Sequence, residues 1–228
     1  MVWGIIGALD AEIAMIRDEM TVERVEESYG LTFYCGSIGS EEVVAVCCSI
    51  GTINATVCAL TMIQQYKVEA VINVGIAGSS TDELHILDVV IADDLMFHDA
   101  DLDILEKYYP FRRSFPTDDR LRMLAVQAIQ SLPKRTFKWK IGRIVSGDVF
   151  VNDTALKNSI IQRCDPLCCE MEGAAIAQVS YMNRIPFLVI RTLSDSADEA
   201  ADETYDNFLD RAARNSAEIL LQMIRLYR

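Results

Sequence analysis

Glu170-Met171-Glu172-Gly173-Ala174-Ala175-Ile176-Ala177 is the stretch on which the reading of this chain turns. It follows Pro166-Leu167-Cys168-Cys169, a short apolar run of strand type, and opens a helix of small residues reaching about Asn183. A strand running straight into a helix is the unit of an α/β sheet, and such sheets bind ligands where their strands end. The two carboxylates at this turn have two readings. Acids in a first helical turn complement the helix macrodipole. A Met wedged between them, with a nearly side-chain-free helix behind, instead lets a ligand approach closely and favours a site.

The same alternation extends in both directions. Val2 to Ala8 reads as a strand and Asp10 to Met20 as a helix, with Glu12 just past the strand end. Leu31 to Ser37 and Glu42 to Ile50 alternate as a hairpin turned through Ile38-Gly39-Ser40, and Gly51 to Tyr66 is helical. Ala70 to Val74 is a buried strand entering the Gly- and Ser-rich stretch Gly75-Ile76-Ala77-Gly78-Ser79-Ser80, read as a turn. That turn lacks the spacing of a phosphate loop, and a bare backbone meeting a neutral ligand explains it as well. Ile86 to Ala92 is a strand, followed by a long polar and aromatic segment from Asp93 to Pro116; connections of this length belong to function or to an interface. Within it, His98 beside Asp99 has no second ligand cluster to make a metal site. Asp118 to Ser131 is helical, Phe137 to Val145 a strand, and Asn152 to Arg163 a helix capped by Asn152 or Asp153. Pro186 to Leu193 is an apolar strand of parallel type ending at Ser194-Asp195. Tyr205 to Tyr227 closes the chain as an amphipathic helix with Phe208, Ala212, Ile219 and Met223 on one stripe. The pattern predicts one α/β domain over residues 1–228, its mostly parallel sheet covered on both faces.

Composition limits what such a domain does. Hydrophobic residues make up 51% of the 228, yet none of the apolar runs reaches the roughly 18 residues that span a membrane. Met1 to Ala8 lacks a basic flank and meets Asp10 and Glu12 at once, so it reads as a core strand and not a signal peptide. A net charge of −13 argues against nucleic acid, anionic membranes and polyanionic substrates. Seven Cys without a CxxC pair, alongside two His, support neither a disulfide framework nor zinc. They read as buried thiols of a reducing cytoplasm.

The strand ends then collect Glu12, the Gly75-to-Gly78 stretch, Ser146-Gly147-Asp148-Val149-Phe150, Met171-Glu172 and Ser194-Asp195. Several acids, a Met, a Phe and a bare backbone suit a neutral sugar joined to an aromatic ring. Carboxylates accept from vicinal hydroxyls and Phe stacks on a base. A further pair of carboxylates can cleave a glycosidic bond by acid/base catalysis through an oxocarbenium-like transition state.

Five motifs sharpen this reading: Gly4-Ile5-Ile6-Gly7-Ala8-Leu9-Asp10-Ala11-Glu12, Val74-Gly75-Ile76-Ala77-Gly78, Val145-Ser146-Gly147-Asp148-Val149-Phe150, Glu170 to Ala177, and Arg191-Thr192-Leu193-Ser194-Asp195-Ser196-Ala197-Asp198. In order and spacing, over nearly the whole chain, they resemble the bacterial 5′-methylthioadenosine/S-adenosylhomocysteine nucleosidases. The resemblance implies a single three-layer α/β/α domain of nucleoside phosphorylase type with a mixed, mostly parallel sheet. It also implies a homodimer without metal or cofactor, acting on an adenine nucleoside in methionine salvage and S-adenosylmethionine by-product recycling. By the same resemblance Glu12 activates water and Asp195, beside Ser194, delivers a proton to adenine N7. Met171 and Glu172 hold the ribose, Phe150 stacks on adenine, the Val151 backbone reads its edge, and Gly78 lines the turn. Arg191 helps to place Glu12 and the water. Tyr205, Leu9 and Ile50 cover the 5′ substituent.

The chain departs from the family at Ile76, where a Ser is common, and over Leu102 to Phe115, which in the dimer lends apolar residues to the partner's 5′ pocket. Three other functions share parts of the pattern. Phosphorolysis needs Arg or Lys near the first strand and the Gly-rich stretch; Asp10 and Glu12 stand in the first place and no basic residue in the second. Hydrolysis of a related nucleoside such as aminodeoxyfutalosine uses the same residues. A non-enzymatic nucleoside-binding protein is expected to have lost an acid, whereas Glu12, Glu172 and Asp195 are all present.

Overall fold

The computed structural model of the chain describes residues 1–133, 135–198 and 201–227, with side chains throughout except at 202–204 and 206. Its strands form one ten-stranded mixed sheet. At the centre β4 (Glu41–Cys47), β1 (Val2–Gly7), β5 (Ala70–Ser79) and β10 (Phe187–Asp195) run parallel. β5 and β10 are buried at every position, as strands with helices on both sides must be. β6 (Val89–Phe97) pairs antiparallel with β10, and β8 (Trp139–Ser146) and β9 (Cys168–Glu170) follow parallel to β6. β9 then returns to β5, pairing antiparallel at Gly78 and Ser79. The strands β5, β10, β6, β8 and β9 therefore close on one another, while β3 (Leu31–Ile38) and β2 (Thr21–Ser28) extend the open side beyond β4.

Successive residues of each strand face opposite layers. Ile6, Val71 and Val189 pack under α2 (Thr52–Gln65) and α6 (Gly173–Asn183) through Ala55, Met62, Ala174 and Ile176. Ile5, Ile72 and Ile190 face α1 (Asp10–Glu19), α4 (Asp119–Ser131) and α7 (Ala201–Leu226) through Ile16, Ala125 and Leu220. The result is a three-layer α/β/α arrangement. Among the described residues no helix is long and apolar enough to cross a membrane.

The structure differs from the sequence reading in specific places. β2 has no counterpart in that reading, because Glu23, Arg24, Glu26 and Glu27 leave it without apolar alternation on this exposed sheet edge. Within the stretch read as a turn, Gly75 to Ser79 is the second half of β5 and Ser80 follows the strand. The segment after Asp93 is ordered: β6 continues through it to Phe97, α3 (Leu102–Lys107) follows, and β7 (Phe115–Pro116) pairs back on β6. Charged Asp94 is accommodated inside β6 at a break in register, where Arg143 of β8 binds both its carboxylate oxygens at 2.8–2.9 Å. α5 (Thr154–Cys164) starts two residues later than read, and Asp153 is its cap, accepting from Leu156 N at 2.7 Å. α7 begins at Ala201, ahead of Tyr205; Ala212, Ile219 and Met223 of its stripe are buried and Phe208 only partly so.

Candidate active site

The carboxyl ends of β1, β5, β8, β9 and β10 meet around a cavity of about 460 Å³. Leu9, Glu12, Ile50, Gly78, Phe150, Val151, Met171, Glu172, Ser194, Asp195 and Tyr205 all line it. Arg191 does not; it is fully buried beneath the wall formed by Glu12 and Glu172. The lining also includes Ala8, Ile76, Ala77, Val149, Cys169 and Glu170. Of these, Cys169 and Val149 gave no functional signal beyond their apolar character.

Glu12 is the third residue of α1, and its side chain reaches back over the helix start. Oε2 accepts from Ala8 N at 2.6 Å and Leu9 N at 2.9 Å, as the acid of a capping box does. Oε1 accepts from Ile76 N at 3.0 Å, on the neighbouring strand β5. This approach is possible because residue 75 is Gly: a Cβ there would lie 2.4 Å from Glu12 Oε1 and 2.8 Å from Arg191 Nη1. Burial raises the Glu12 carboxyl above its ordinary pKa, and the positive charge of Arg191 and the three backbone N–H groups oppose that rise.

The two acids of the opening stretch separate in the fold. Glu170 takes the helix-capping role: its carboxylate accepts from Glu172 N at 3.0 Å and Gly173 N at 2.8 Å, and from the Ser146 hydroxyl. It also ion-pairs with Arg191. Glu172 makes no side-chain cap bond; Oε1 accepts from Gly51 N at 2.9 Å and Oε2 lies 3.7 Å from Arg191 Nη2. Burial, followed by the neighbouring Glu170 charge, pushes Glu172 up to about 8. The small residues Gly173 to Ala177 are all buried, so they serve helix–sheet packing and not ligand approach. Arg191 Nη2 is saturated by Glu170 and by Asn73 Oδ1 at 2.5 Å, and Asn73 is itself anchored by donating to Ile6 O at 2.9 Å. Arg191 Nε and Nη1 have no protein partner.

Asp195 ends β10. Ser194 Oγ donates to its Oδ2 at 2.7 Å, and Ala197 N donates to its Oδ1 at 2.8 Å. Asp195 thus caps the loop after β10 while the same carboxyl lines the cavity. Burial raises its pKa, and the two hydrogen bonds counter that rise. Gly78 again makes room: a Cβ there would stand 2.8 Å from Asp195 Oδ1 and 2.9 Å from Ala197 Cβ.

The remaining wall is apolar. Phe150 meets Tyr205 edge-on, with ring centroids 5.8 Å apart at 84°. Ile76 packs with Leu9, Tyr205, Ala212 and Ala213. None of the lining residues is Lys or Arg. His98 lies outside the cavity, wedged beneath Gly147, where a Cβ would be 2.4 Å from its Cε1. Among the described residues no group of three or more His, Cys, Asp or Glu is placed to hold a metal ion.

The sequence and fold are similar to those of known proteins. A sequence model of the phosphorylase superfamily covers residues 3–225. The 5′-methylthioadenosine/S-adenosylhomocysteine nucleosidase of Aeromonas salmonicida is 34% identical over 226 residues, 97% of each chain. A Neisseria meningitidis nucleosidase of the same name, solved with methylthio-immucillin-A, superimposes with a TM-score of 0.93 at 31% identity, covering 99% of both chains. A Helicobacter pylori futalosine hydrolase superimposes at 0.92 with 30% identity, covering 100% of this chain and 98% of that one. The chain belongs to the 5′-methylthioadenosine/S-adenosylhomocysteine nucleosidase family of the phosphorylase superfamily.

Proposed function

We propose that this enzyme hydrolyses the N-glycosidic bond of 5′-methylthioadenosine and S-adenosylhomocysteine, releasing adenine and the 5-thio-substituted ribose. One observation carries the reading. Two buried carboxyl groups, Glu12 and Asp195, reach the same cavity across the bare Cα positions of one strand, Gly75 and Gly78. Glu172 and the Phe150 ring share that cavity. Adenine stacks on Phe150 with its edge on the Val151 backbone, and Met171 and Glu172 take the ribose. Leu9, Ile50 and Tyr205 enclose the 5′ group. Asp195, whose carboxyl burial makes easier to protonate, gives its proton to N7 as electrons flow from the C1′–N9 bond into the ring. Glu12 takes a proton from the water that forms the new C1′–O bond. Arg191, buried beneath the wall with Nη1 close to Glu12 at Gly75, helps to place Glu12 and through it this water. Ile76 offers no hydroxyl for that task, so the hold rests on Glu12.

The whole chain acts as one domain in this reading, which the single continuous sheet supports. Dimerisation is part of the proposal. Ile53, Val57 and Leu60 on α2, and Ile104, Tyr108, Tyr109 and Phe111 in and after α3, are exposed apolar residues of the kind that a second copy covers. Seven free thiols, six of them buried, support a reducing cytoplasmic setting.

Chromatography of products from methylthioadenosine, S-adenosylhomocysteine and aminodeoxyfutalosine, with and without phosphate, tests the reading. Free adenine and the free sugar, at a rate independent of phosphate, are expected from the two thio-nucleosides. Recovery of a sugar 1-phosphate overturns hydrolysis. Turnover confined to aminodeoxyfutalosine transfers the assignment to that substrate. Light scattering showing an active monomer removes the dimer.

A further inference from the structure

Helix α2 begins at the mouth of the cavity without a cap of its own. Its first flanking residue is Gly51, at φ +105°, which supplies no side chain to the free N–H groups there. The cap comes from the far side of the cavity. Asp148 Oδ1 accepts from Thr52 N at 2.7 Å and Asp148 Oδ2 from Thr52 Oγ1 at 2.6 Å. Gly51 leaves the space for this, since a Cβ there would lie 3.2 Å from Asp148 Oδ1. Asp148 is itself held, its N–H donating to Asp99 Oδ2 at 2.8 Å.

The neighbours of this contact give it meaning. Asp148 immediately precedes Val149, Phe150 and Val151, the wall assigned to the base. Thr52 follows Ile50 and Gly51; Ile50 lines the cavity, and Gly51 N donates to Glu172 Oε1 at 2.9 Å. One carboxylate thus joins the loop carrying the base wall to the helix start that holds the ribose carboxylate and the 5′ wall.

We propose that Asp148 is a positioning residue that clamps the two walls of the cavity together before the nucleoside arrives. The inference rests on the nucleosidase reading of the site. Asp148 touches no reacting atom in this scheme; it raises the fraction of protein whose walls are already at nucleoside spacing. A nucleoside spans both walls and itself closes an unclamped cavity. Losing the clamp therefore weakens substrate and transition state alike, raising KM and leaving kcat in place. Free adenine engages one wall and gains little from the clamp.

The experiment compares Asp148→Ala and Asp148→Asn with the parent enzyme. It measures kcat and KM for methylthioadenosine, calorimetric Kd for free adenine, and thermal melting. For Asp148→Ala the expected result is a rise in KM of about 3- to 30-fold, the range an N-cap loss produces. Its kcat should stay within about twofold and its adenine Kd within about threefold of the parent values. Asp148→Asn retains the acceptor for Thr52 N, and the Thr52 hydroxyl can turn to accept from the new amide, so it should recover most of the loss. An Asp148→Ala enzyme with parental KM, or with adenine binding weakened as much as nucleoside binding, overturns the clamp. A kcat loss exceeding the KM rise does so as well. A parent enzyme releasing no adenine from methylthioadenosine points instead to failure of the nucleosidase reading.

Discussion

Gly78→Ala puts the arrangement of the acid under direct strain. The backbone at 78 is ordinary buried strand, so alanine meets no conformational penalty and crowding is the whole perturbation. The added Cβ would stand 2.8 Å from Asp195 Oδ1 and 2.9 Å from Ala197 Cβ, against a comfortable separation of roughly 3.5–4.0 Å for carbon contacts. Gly78 is pinned on both sides, paired with Cys169 of β9 and with Asp195 of β10. Relief therefore falls on the Asp195 side chain and the Ser196–Ala197 loop, which must retreat by about 1 Å. Displacements of that order cost about 10²-fold where a proton must be handed over in line, and that is the expected fall in kcat for methylthioadenosine. Stability should drop by about 1–3 kcal/mol, the usual cost of one extra methyl in a packed interior. Adenine release by stopped assay and melting by calorimetry measure the two effects. The decisive measurement is the same substitution in an Asp195→Asn background. With no acidic proton left to misplace, Gly78→Ala should then cost less than about threefold. A full hundredfold loss in that background, or parental turnover for Gly78→Ala alone, refutes the link between the bare Cα and the acid.

Three other substitutions probe the remaining groups. Glu12→Gln should lower kcat by about 10²–10⁴-fold while the Kd of a non-cleavable nucleoside analogue changes far less; near-parental turnover returns Glu12 to its helix-capping role alone. Asp195→Asn should fold and lose at least about a hundredfold on adenine nucleosides, with a much smaller loss on a p-nitrophenyl riboside, whose leaving group needs no proton. Equal losses on both substrates would make Asp195 purely architectural. Glu172→Gln tests burial through stability. The folded-state pKa of Glu172 is raised from 4.5 to about 8, so its contribution is present below pH 4.5 and is lost as pH rises through 8. The melting temperature of Glu172→Gln relative to the parent should therefore climb between pH 5 and pH 9, and a constant offset across that range would contradict it.

The parallel centre of the sheet is legible because its strands are largely apolar runs, broken only at Asn73, Arg191 and Thr192: Val2 to Gly7, Ala70 to Val74 and Phe187 to Leu193 belong between two helical layers. The periphery is less legible. β2 carries charge along its length as an exposed edge strand should, and that composition imitates a loop. Asp93 and Asp94 interrupt β6 in sequence but not in space, because Arg143 arrives from a strand some fifty residues away to neutralise Asp94. Glycine misleads in β5 for a related reason. Gly75 and Gly78 resemble a turn, but their missing side chains make room for Glu12 and Asp195, a demand set by other parts of the chain.

The candidate acids show why the architectural and chemical readings of a residue need not compete. In sequence, Glu170 and Glu172 are equivalent acids at one helix start. The fold gives Glu170 the capping bonds and the pairing with Arg191, and that assignment leaves Glu172 turned to the cavity. Glu12 combines both roles in one side chain. Its Oε2 is held by the helix start and its Oε1 by Ile76 N, so the carboxylate is aimed without a direct hydrogen bond to Arg191. Glu170 and Asn73 meanwhile occupy Nη2 of Arg191, leaving Nη1, which lies near Glu12 at Gly75, and Nε without hydrogen-bond partners. A buried guanidinium keeps two unmet donor groups only at considerable cost unless something else satisfies them. Here the carboxyl groups of Glu170, Glu12 and Glu172 surround Arg191 and offset that cost through their charge. The capping of α1 is thus the means by which the proposed base is aimed, and the Arg191–Glu170 ion pair beneath it supports the wall that carries Glu12 and Glu172.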